Sequence, residues 1–315
     1  MFFKNALLYR LRNKPAIALD ALENALGEHR AVPLGESQAR RHAWTAPAGR
    51  ASNMLVHEVQ GQRLLSVLSQ ERMLPASVVK EEVEDAVAEI ESKEGRKVTR
   101  KEKTAIKEQI TEALMPRAFI RSKRTFLWWD TRNDLICVDA SSRTTAEDAL
   151  DLLRETLGSL KVVPLRTQEL PVGKMTAWLT DPATRPAWLV MGDKATLKDK
   201  ADTVFTARCA DLDGEEIQTM LANGCQASQL AISIEKQASC VLTDDLALKG
   251  IRFAEALIEE ADHTEDGDDA LVRLETDFHL MTGALTQTID MLIDCLGGEV
   301  AFEPESEPEP ASDAA

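Results

Sequence analysis

The segment from residue 77 to residue 114 constrains the fold of this chain more than any other, because its sequence marks where one helix ends and where the next begins. The stretch SVVKEEVEDAVAEIESKE places apolar residues at helical spacing, and Ser77 can cap its first turn. Gly95 suits the position just past the last turn of a helix. Thr99 and Glu102 then form a T-R-K-E capping box, which starts a second helix. The sequence therefore predicts a protruding helical hairpin.

The turn of this hairpin is basic, although the chain as a whole is acidic. Residues 93–124 contain eleven Lys or Arg and four Glu, whereas the formal charge of the full chain is −16. The positive charges begin in the stretch KEGRKVTRKEK, which covers the turn and the start of the returning helix. A helix N-terminus carries partial positive charge and free N–H groups, so local stability favours acids there. A bound polyanion such as DNA would reverse this preference, because the cations, the amides and the dipole would all face its phosphates.

The first-rank candidates for DNA binding are the cations of this turn and of the helix that follows it. Three of them, Arg100, Lys103 and Lys107, share one helix face at i, i+3 and i+7. The alternative is a solvated tip in which these cations pair with Glu residues of the same helices, and the charge pattern leaves both open. The complete set is Arg96, Lys97, Arg100, Lys101, Lys103 and Lys107.

A second group of cations follows the hairpin and leads into two predicted strands, TFLWWD and DLICVD, around a TRN turn. Aromatic residues between cations can stack on bases. Trp128 and Trp129 are successive residues of a strand and would point to opposite faces, as expected for a sheet buried on both sides, so we assign them to the core. Phe119 precedes this predicted strand and is kept as a contact candidate. The second-rank cations are Arg117, Arg121, Lys123 and Arg124.

The remaining sequence predicts an α+β fold, with mixed sheets built from β-hairpins and with packed helices. FFKNALLYRL is typical of a strand, PAIALDALENALGEHR of a helix that starts near Pro15, and the residues around Gly61 of a hairpin. Thr145 can cap a helix that ends at Gly158. QLAISIEK and SCVLTDDLALKGIRF indicate another hairpin, which the helical FAEALIEEA follows, and a last long helix is expected over residues 269–296.

Four segments follow from this pattern. They are an N-terminal α+β region at 1–75, the helical hairpin with its basic tip at 76–116, an α+β region with two hairpin–helix units and the long helix at 117–298, and a tail at 299–315. The tail, EVAFEPESEPEPASDAA, has six acids, three prolines and no cation, which predicts disorder. It is interpreted either as a DNA mimic that competes for the basic surface or, preferably, as a solubilising extension.

Sequence motifs for catalysis or cofactor binding are missing. The five cysteines are widely spaced without a CxxC pair, the five histidines form no metal-binding pattern, and no GxGxxG or GxxxxGK[ST] loop is present. We therefore expect no cofactor, no resident metal and no enzymatic activity. The enzyme alternative is a two-metal nuclease that uses Asp130, Asp134 and Asp139, which crowd one predicted hairpin. No apolar run suits a signal peptide or a membrane span, so the expected location is the cytoplasm, with no membrane partner.

Six segments, taken in order along the chain, resemble the RdgC family of recombination-associated proteins. They are FFKNALLYRL, RMLPASVVK, LMPRAF, the WD/ICVDA hairpin, AEDALDLLRETLGSLKVVPL and DFHLMTGAL, and the likeness extends to about Glu299. The resemblance implies a nucleoid-associated DNA-binding protein without enzymatic activity that forms a ring-shaped homodimer. It also implies binding to duplex DNA with little sequence preference, and restraint of RecA-dependent recombination.

The resemblance adds two residues to the candidate sites. Phe119 lies in the LMPRAF segment and is a candidate for the dimer interface, whereas Arg208 matches a basic position of the family and is a further DNA-binding candidate. The expected partners are duplex DNA, a second copy of the chain and, functionally, the RecA pathway; single-stranded DNA stays open as a further partner. The competing interpretation is an interaction protein that binds RecA directly and contacts DNA incidentally.

Overall fold

A computed structural model describes residues 1–12, 17–36, 38–263 and 269–301. Within these residues the chain has eight α-helices and twelve strands. Neighbouring strands such as β1 and β6, β4 and β5, and β10 and β11 pair antiparallel, and the combination of helices with such sheets confirms the α+β class. The chain divides into two compact units, each of which is described by itself. The first is formed by Met1–Val163 and His263–His279, and the second by Pro164–Asp262 and the residues from Leu280 onward.

The first unit is built on a sheet with the strand order β2-β4-β5-β6-β1, in which β3 also pairs with β4, and β7 with β1. Its strands are β1 (Asn5–Leu11), β2 (Arg40–Trp44), β3 (Val56–Val59), β4 (Gln62–Met73), β5 (Phe119–Asp130), β6 (Leu135–Val138) and β7 (Val162–Pro164). Its helices are α1 (Leu19–Glu28), α2 (Ala76–Glu94), α3 (Arg100–Leu114) and α4 (Arg143–Leu157).

The second unit has a sheet with the strand order β12-β11-β10-β8-β9. Its strands are β8 (Leu189–Lys198), β9 (Val204–Arg208), β10 (Gln226–Ile234), β11 (Ala238–Thr243) and β12 (Leu248–Phe253). Its helices are α5 (Pro171–Thr180), α6 (Glu215–Ala222) and α7 (Glu255–His263), and α8 (Ala270–Cys295) contributes its residues from Leu280 onward.

Tryptophans fill the centre of the first unit. Trp128 and Trp129 lie on β5 and are buried, although their side chains leave opposite faces of the strand, which confirms their assignment to the core. The indole N–H of Trp128 donates to Gln62 Oε1 at 2.5 Å, and that of Trp44 donates to Thr156 Oγ1 at 2.8 Å. The indoles of Trp128 and Trp44 therefore keep hydrogen-bond partners, as burial of a polar group requires.

Several local predictions are confirmed. β1 and the hairpin of β3 and β4 are present, with Gly61 in the turn at φ +78°. α2 and α4 end at Gly95 and Gly158, both in the left-handed region that glycine adopts most easily. The later hairpin and its helix correspond to β10, β11 and β12 and to α7, and α8 matches the long helix expected over residues 269–296.

Two predicted helix starts are wrong. α2 begins at Ala76 after Pro75, whose fixed extended backbone already sets the start, so Ser77 lies inside the first turn. α4 begins at Arg143 and its cap is Ser142, whose Oγ accepts from the backbone N–H of Thr145 at 3.3 Å. α1 begins at Leu19, and Pro15 falls outside the described residues.

The sequence did not predict β8, β9, α5 or α6. β8 is hard to recognise because it is irregular. Its register against β10 shifts, and a Cβ on Gly192 would lie 2.7 Å from that of Ala231, so only glycine fits there. Residues 264–268, and residues 302–315 of the predicted tail, are outside the described part of the chain, and the four-segment division stays a prediction. Of the helices described, none combines the length and apolar character needed to cross a bilayer.

Candidate nucleic-acid interface

The N-terminus of α3 is fixed by the predicted capping box. The Thr99 Oγ1 accepts from the backbone N–H of Glu102 at 3.3 Å, and a carboxylate oxygen of Glu102 accepts from the backbone N–H of Thr99 at 2.8 Å. Two of the free amides at the helix start are thus satisfied by side chains. The capping box sets the residue at which the helix begins, and with it the direction in which each cation of α3 points.

Arg96 is the first-rank cation that the protein itself neutralises. Its guanidinium forms a two-pronged contact with Glu102, at 2.7 and 3.0 Å, and also lies 2.8 Å from a carboxylate oxygen of Glu94. The hydrogen bond from Arg96, with those from Thr99, lowers the pKa of the Glu102 carboxyl to about 2, and the same pair raises the pKa of Arg96. Arg96 therefore follows the solvated-tip alternative, and it is a weaker DNA candidate than the cations after it.

Arg100, Lys103 and Lys107 line one groove between α2 and α3, as their i, i+3, i+7 spacing predicts. The groove encloses about 670 Å³. All three side chains are exposed, and within the described chain none of them has an ion-pair partner. Lys97 and Lys101 are also exposed, but they do not line the groove. The helix period thus gathers three unneutralised positive charges along one edge.

The bottom of this groove is apolar. Val79 and Val83 of α2 are buried, and Leu74 and Met115 add further apolar side chains to the lining. The neighbouring depression on α3 has a different character, because Glu108 and other acids line it. Lys107 borders both depressions, and the three cations of the groove lie beside an apolar surface.

The second-rank cations do not form a single patch. β5 starts at Phe119, so it is longer than predicted, and Arg121, Lys123 and Arg124 lie on the strand itself. Alternation along a strand puts Arg121 and Lys123 on one face and Arg124 on the other. Arg121 is held by Glu71, which is opposite it on β4, at 2.9 Å.

The other three second-rank cations have different surroundings. The Arg124 guanidinium lies 5.9 Å from the ring centroid of Phe126, within the range of a cation–π contact. Arg117 is exposed in the short 3₁₀ turn that follows α3. Lys123 is exposed and faces Ser69 across the strand pair. Of the four cations, Arg117 and Lys123 are the ones that the described chain leaves without an acidic or aromatic partner.

Phe119 lies at the exposed end of the β4–β5 pair, which corrects its predicted position before the strand. Its side chain is 84% exposed, and Met73, its partner in the register, is 48% exposed. Ile120 is exposed as well. Phe119 and Met73 lie opposite each other at one strand end, while Ile120 leaves the other face, and exposed apolar side chains of this kind are typical of a contact site.

Arg72 was missed by the sequence reasoning. Its guanidinium donates to four backbone carbonyls, those of Gly35 (3.1 Å), Gln38 (3.2 Å), Pro116 (3.1 Å) and Ala118 (3.3 Å). These bonds tie the connection between α3 and β5 to the segment before β2. No local pattern could reveal this role, because the four acceptors are backbone atoms that are distant in sequence.

Arg208 lies on β9 in the second unit, opposite Lys194 of β8, and is exposed. It is thus part of a different compact unit from the other candidates. Its assignment as a DNA-binding residue stays a prediction.

The carboxylates of the nuclease alternative are engaged in structure. Asp130 is buried, and its Oδ1 accepts from the backbone N–H groups of Arg132 (2.9 Å) and Asn133 (3.2 Å), so it shapes the turn after β5. Asp139 accepts from the backbone N–H of Asn5 at 2.8 Å, and burial raises its pKa. Asp134 occupies the turn at φ +53°. In the described ranges, no group of three His, Cys, Asp or Glu residues is placed to hold a metal ion.

Comparison with known proteins covers nearly the whole chain. The family model described as "Putative exonuclease, RdgC" matches residues 1–299. The chain is 39% identical over 305 residues to the recombination-associated protein RdgC of Tolumonas auensis, covering 96% of this chain and all of that protein. It is 38% identical over 302 residues to the protein of the same name from Yersinia pestis (strain Pestoides F), covering 95% of this chain and 99% of that protein. The order of matching segments and these alignments agree, and the chain belongs to the RdgC family.

Proposed function

We propose that this protein binds duplex DNA with little sequence preference and influences homologous recombination by occupying DNA. The observation that carries the proposal is the row of Arg100, Lys103 and Lys107, which is exposed and free of acidic partners in the described chain, along one groove beside a capped helix N-terminus. In a chain of formal charge −16, such a row of unpaired cations suits binding of an external polyanion.

The side chains of this groove favour contact with phosphates over reading of bases. Its polar lining consists of Lys, Arg and Thr, whereas discrimination between bases rests on paired donors and acceptors that reach into a DNA groove. Affinity should therefore be nearly uniform across unrelated duplexes, and a site preferred by several kcal/mol over scrambled DNA would contradict the proposal.

The role in recombination is supported by the names of the relatives, which describe recombination-associated proteins. The family resemblance extends the proposal to a ring-shaped homodimer in the cytoplasm, associated with the nucleoid, that restrains RecA by covering DNA. Phe119 and its exposed apolar neighbours are the proposed dimer contact. We also propose that the protein acts without cutting DNA, because Asp130 and Asp139 are committed to backbone hydrogen bonds.

The decisive experiment measures DNA affinity over a range of salt concentrations for the triple variant Arg100→Gln, Lys103→Gln and Lys107→Gln. Each phosphate contact contributes about −0.9 to the slope of log affinity against log salt, so loss of three contacts should flatten the slope by about 2 to 3 units per binding event. Fold stability should stay level or rise slightly, because two of the cations leave the first turns of a helix.

A matched control removes the same charge from cations that have acidic partners. Lys93, Arg154 and Lys198 each lie within 4.0 Å of an acid, at Glu89, Asp151 and Asp244 respectively. Changing these three to Gln should leave the slope nearly unchanged. An equal change in both variants would show a general charge effect, and an unchanged slope in a folded groove variant would favour direct binding of RecA.

A further inference from the structure

We propose that a row of three side chains across the sheet of the first unit, His42 on β2, Ser69 on β4 and Lys123 on β5, binds a phosphate group, and that protonation of His42 strengthens this binding. None of the three lines the groove between α2 and α3. The phosphate can be a free ion or part of a DNA backbone, and only the second source rests on the proposed function.

Strand register brings the three side chains together. His42 pairs with Ser69, and Ser69 pairs with Lys123, so all three leave the same face of the sheet. Directly opposed residues have Cβ atoms about 4.5–5.5 Å apart, which places the hydroxyl of Ser69 between an imidazole and an ammonium group. Lys123 is exposed, and the other two are half-buried. A small anion can therefore enter from solvent beside Lys123.

The charges around the row leave one cation unbalanced. In the next row of the same face, Arg40 forms an ion pair with Asp148 of α4, and Arg121 lies 2.9 Å from Glu71. Lys123 has no acidic partner among the described residues. Because both neighbouring acids are already paired with arginines, an anion beside Lys123 would not have to displace an existing ion pair.

The protonation state of His42 decides what Ser69 can offer to a ligand. The Nδ1 of His42 and the Oγ of Ser69 are 2.8 Å apart, and the Nε2 lies 3.9 Å from a carboxylate oxygen of Asp148. This carboxylate favours a proton on Nε2, so in the neutral ring Nδ1 accepts from the Ser69 hydroxyl. In the protonated ring Nδ1 donates to the Ser69 Oγ instead, and the hydroxyl proton is released. Protonation thus adds a positive charge and frees a donor for an anion.

The pH dependence of binding has a defined sign. Burial, and next the charge of Arg40, lower the pKa of His42 from its ordinary value of 6.5, and Asp148 opposes them in part. Near neutral pH the ring is therefore uncharged, and the row offers the ammonium group of Lys123 alone. A bound phosphate favours the protonated ring, because it accepts from Ser69 and attracts both cations. Affinity should accordingly rise as the pH falls below 6.5.

The first test measures the binding of inorganic phosphate from its phosphorus NMR linewidth, at about pH 5.5 and at about pH 8. The parent is the full-length protein with the Arg100, Lys103 and Lys107 triple change, so that the groove does not contribute. At the lower pH, Ser69→Ala should weaken binding about tenfold, through loss of a hydrogen bond to a charged group. At the higher pH it should have little effect, because the neutral ring holds the hydroxyl. Comparing the two proteins at one pH cancels the changing charge of phosphate itself.

Further variants separate the members of the row. Lys123→Gln should weaken binding by about three- to fivefold at both pH values, as loss of an exposed cation does. His42→Gln should remove the pH dependence of the Ser69→Ala effect, and Ser69→Thr, which keeps the hydroxyl, should retain binding. The matched control is Ser122→Ala, because Ser122 precedes Lys123 on β5 but leaves the opposite face. An equal loss in Ser69→Ala at both pH values would refute the role of His42, and binding that Lys123→Gln leaves unchanged would overturn the site.

The second test distinguishes the two sources of phosphate. The affinity of the natural chain for duplex DNA is compared with that of Ser69→Ala at the same two pH values. A loss at the lower pH alone would assign the site to the DNA backbone, whereas a response to inorganic phosphate without this loss would assign it to the free ion. DNA binding through the groove cations with no phosphate response would overturn this inference alone. Phosphate binding at the row, in a protein whose groove cations do not affect DNA affinity, would refute the proposed function and support this site.

Discussion

Arg72 offers the sharpest test of how the fold holds the cationic row in place. Its guanidinium joins the connection between α3 and β5, at Pro116 and Ala118, to the carbonyls of Gly35 and Gln38. Arg72→Lys keeps the positive charge and most of the aliphatic stem. An ammonium group is compact, however, and cannot reach four carbonyls that the planar guanidinium contacts in a fork. The variant therefore separates the geometry of Arg72 from its charge.

The magnitude follows from the hydrogen bonds that are lost. If lysine retains one of the four, three bonds are lost, and at about 0.5 to 1 kcal/mol each for partly exposed groups the total is about 2 kcal/mol. The loss is local, because two of the acceptors lie in the connection between α3 and β5 and the other two lie in the segment before β2. Local opening at that cost would speed amide exchange by about thirtyfold, because 1.4 kcal/mol corresponds to a factor of ten.

Two measurements check this prediction. Hydrogen exchange followed by mass spectrometry should show faster exchange at residues 115–121, and urea unfolding should show a stability loss of about 2 kcal/mol. The matched control is Arg41→Lys, because Arg41 lies on neighbouring β2 and its side chain has no hydrogen bond or ion pair among the described residues. Equal exchange rates in the natural chain and in Arg72→Lys would refute the view that Arg72 fixes this connection.

Three further predictions follow from single side chains. Phe119→Ser should lower the dimer content in light scattering and weaken DNA binding together, and a folded variant that remains dimeric would remove Phe119 from the interface. Asp130→Asn should destabilise the turn by about 1 to 2 kcal/mol in unfolding, because the amide replaces an ionised acceptor of the Asn133 N–H groups; magnesium-dependent cleavage that this change abolishes would instead establish a nuclease. Because Arg96 lowers the pKa of Glu102 from 4.5 to about 2, the stabilisation from ionised Glu102 should be complete above pH 4.5 and lost as pH falls through 2. An acid titration of helix content should show this loss in the natural chain and not in Glu102→Gln.

The sequence by itself determined the features that depend on neighbours within a turn or two of the chain. The capping box of Thr99 and Glu102 and the glycine stop at Gly95 set the ends of two helices, and the 3.6-residue period then gathered Arg100, Lys103 and Lys107 on one face. These signals are readable because a cap or a helix face is decided by residues a few positions apart. The order of short segments along the chain was likewise sufficient to identify the family.

Only the tertiary structure decided which cations lack an acidic partner and which apolar side chains lie beside them. Arg121 is neutralised because β4 places Glu71 opposite it, and Arg124 points to the other face because β5 begins at Phe119. The four acceptors of Arg72 come from two distant segments, and the apolar floor of the groove appears only when α2 packs against α3. The physical reason is that strand register and helix packing depend on partners far away in sequence. A local pattern shows which charges a segment carries, and the fold determines which of those charges remain available to a ligand.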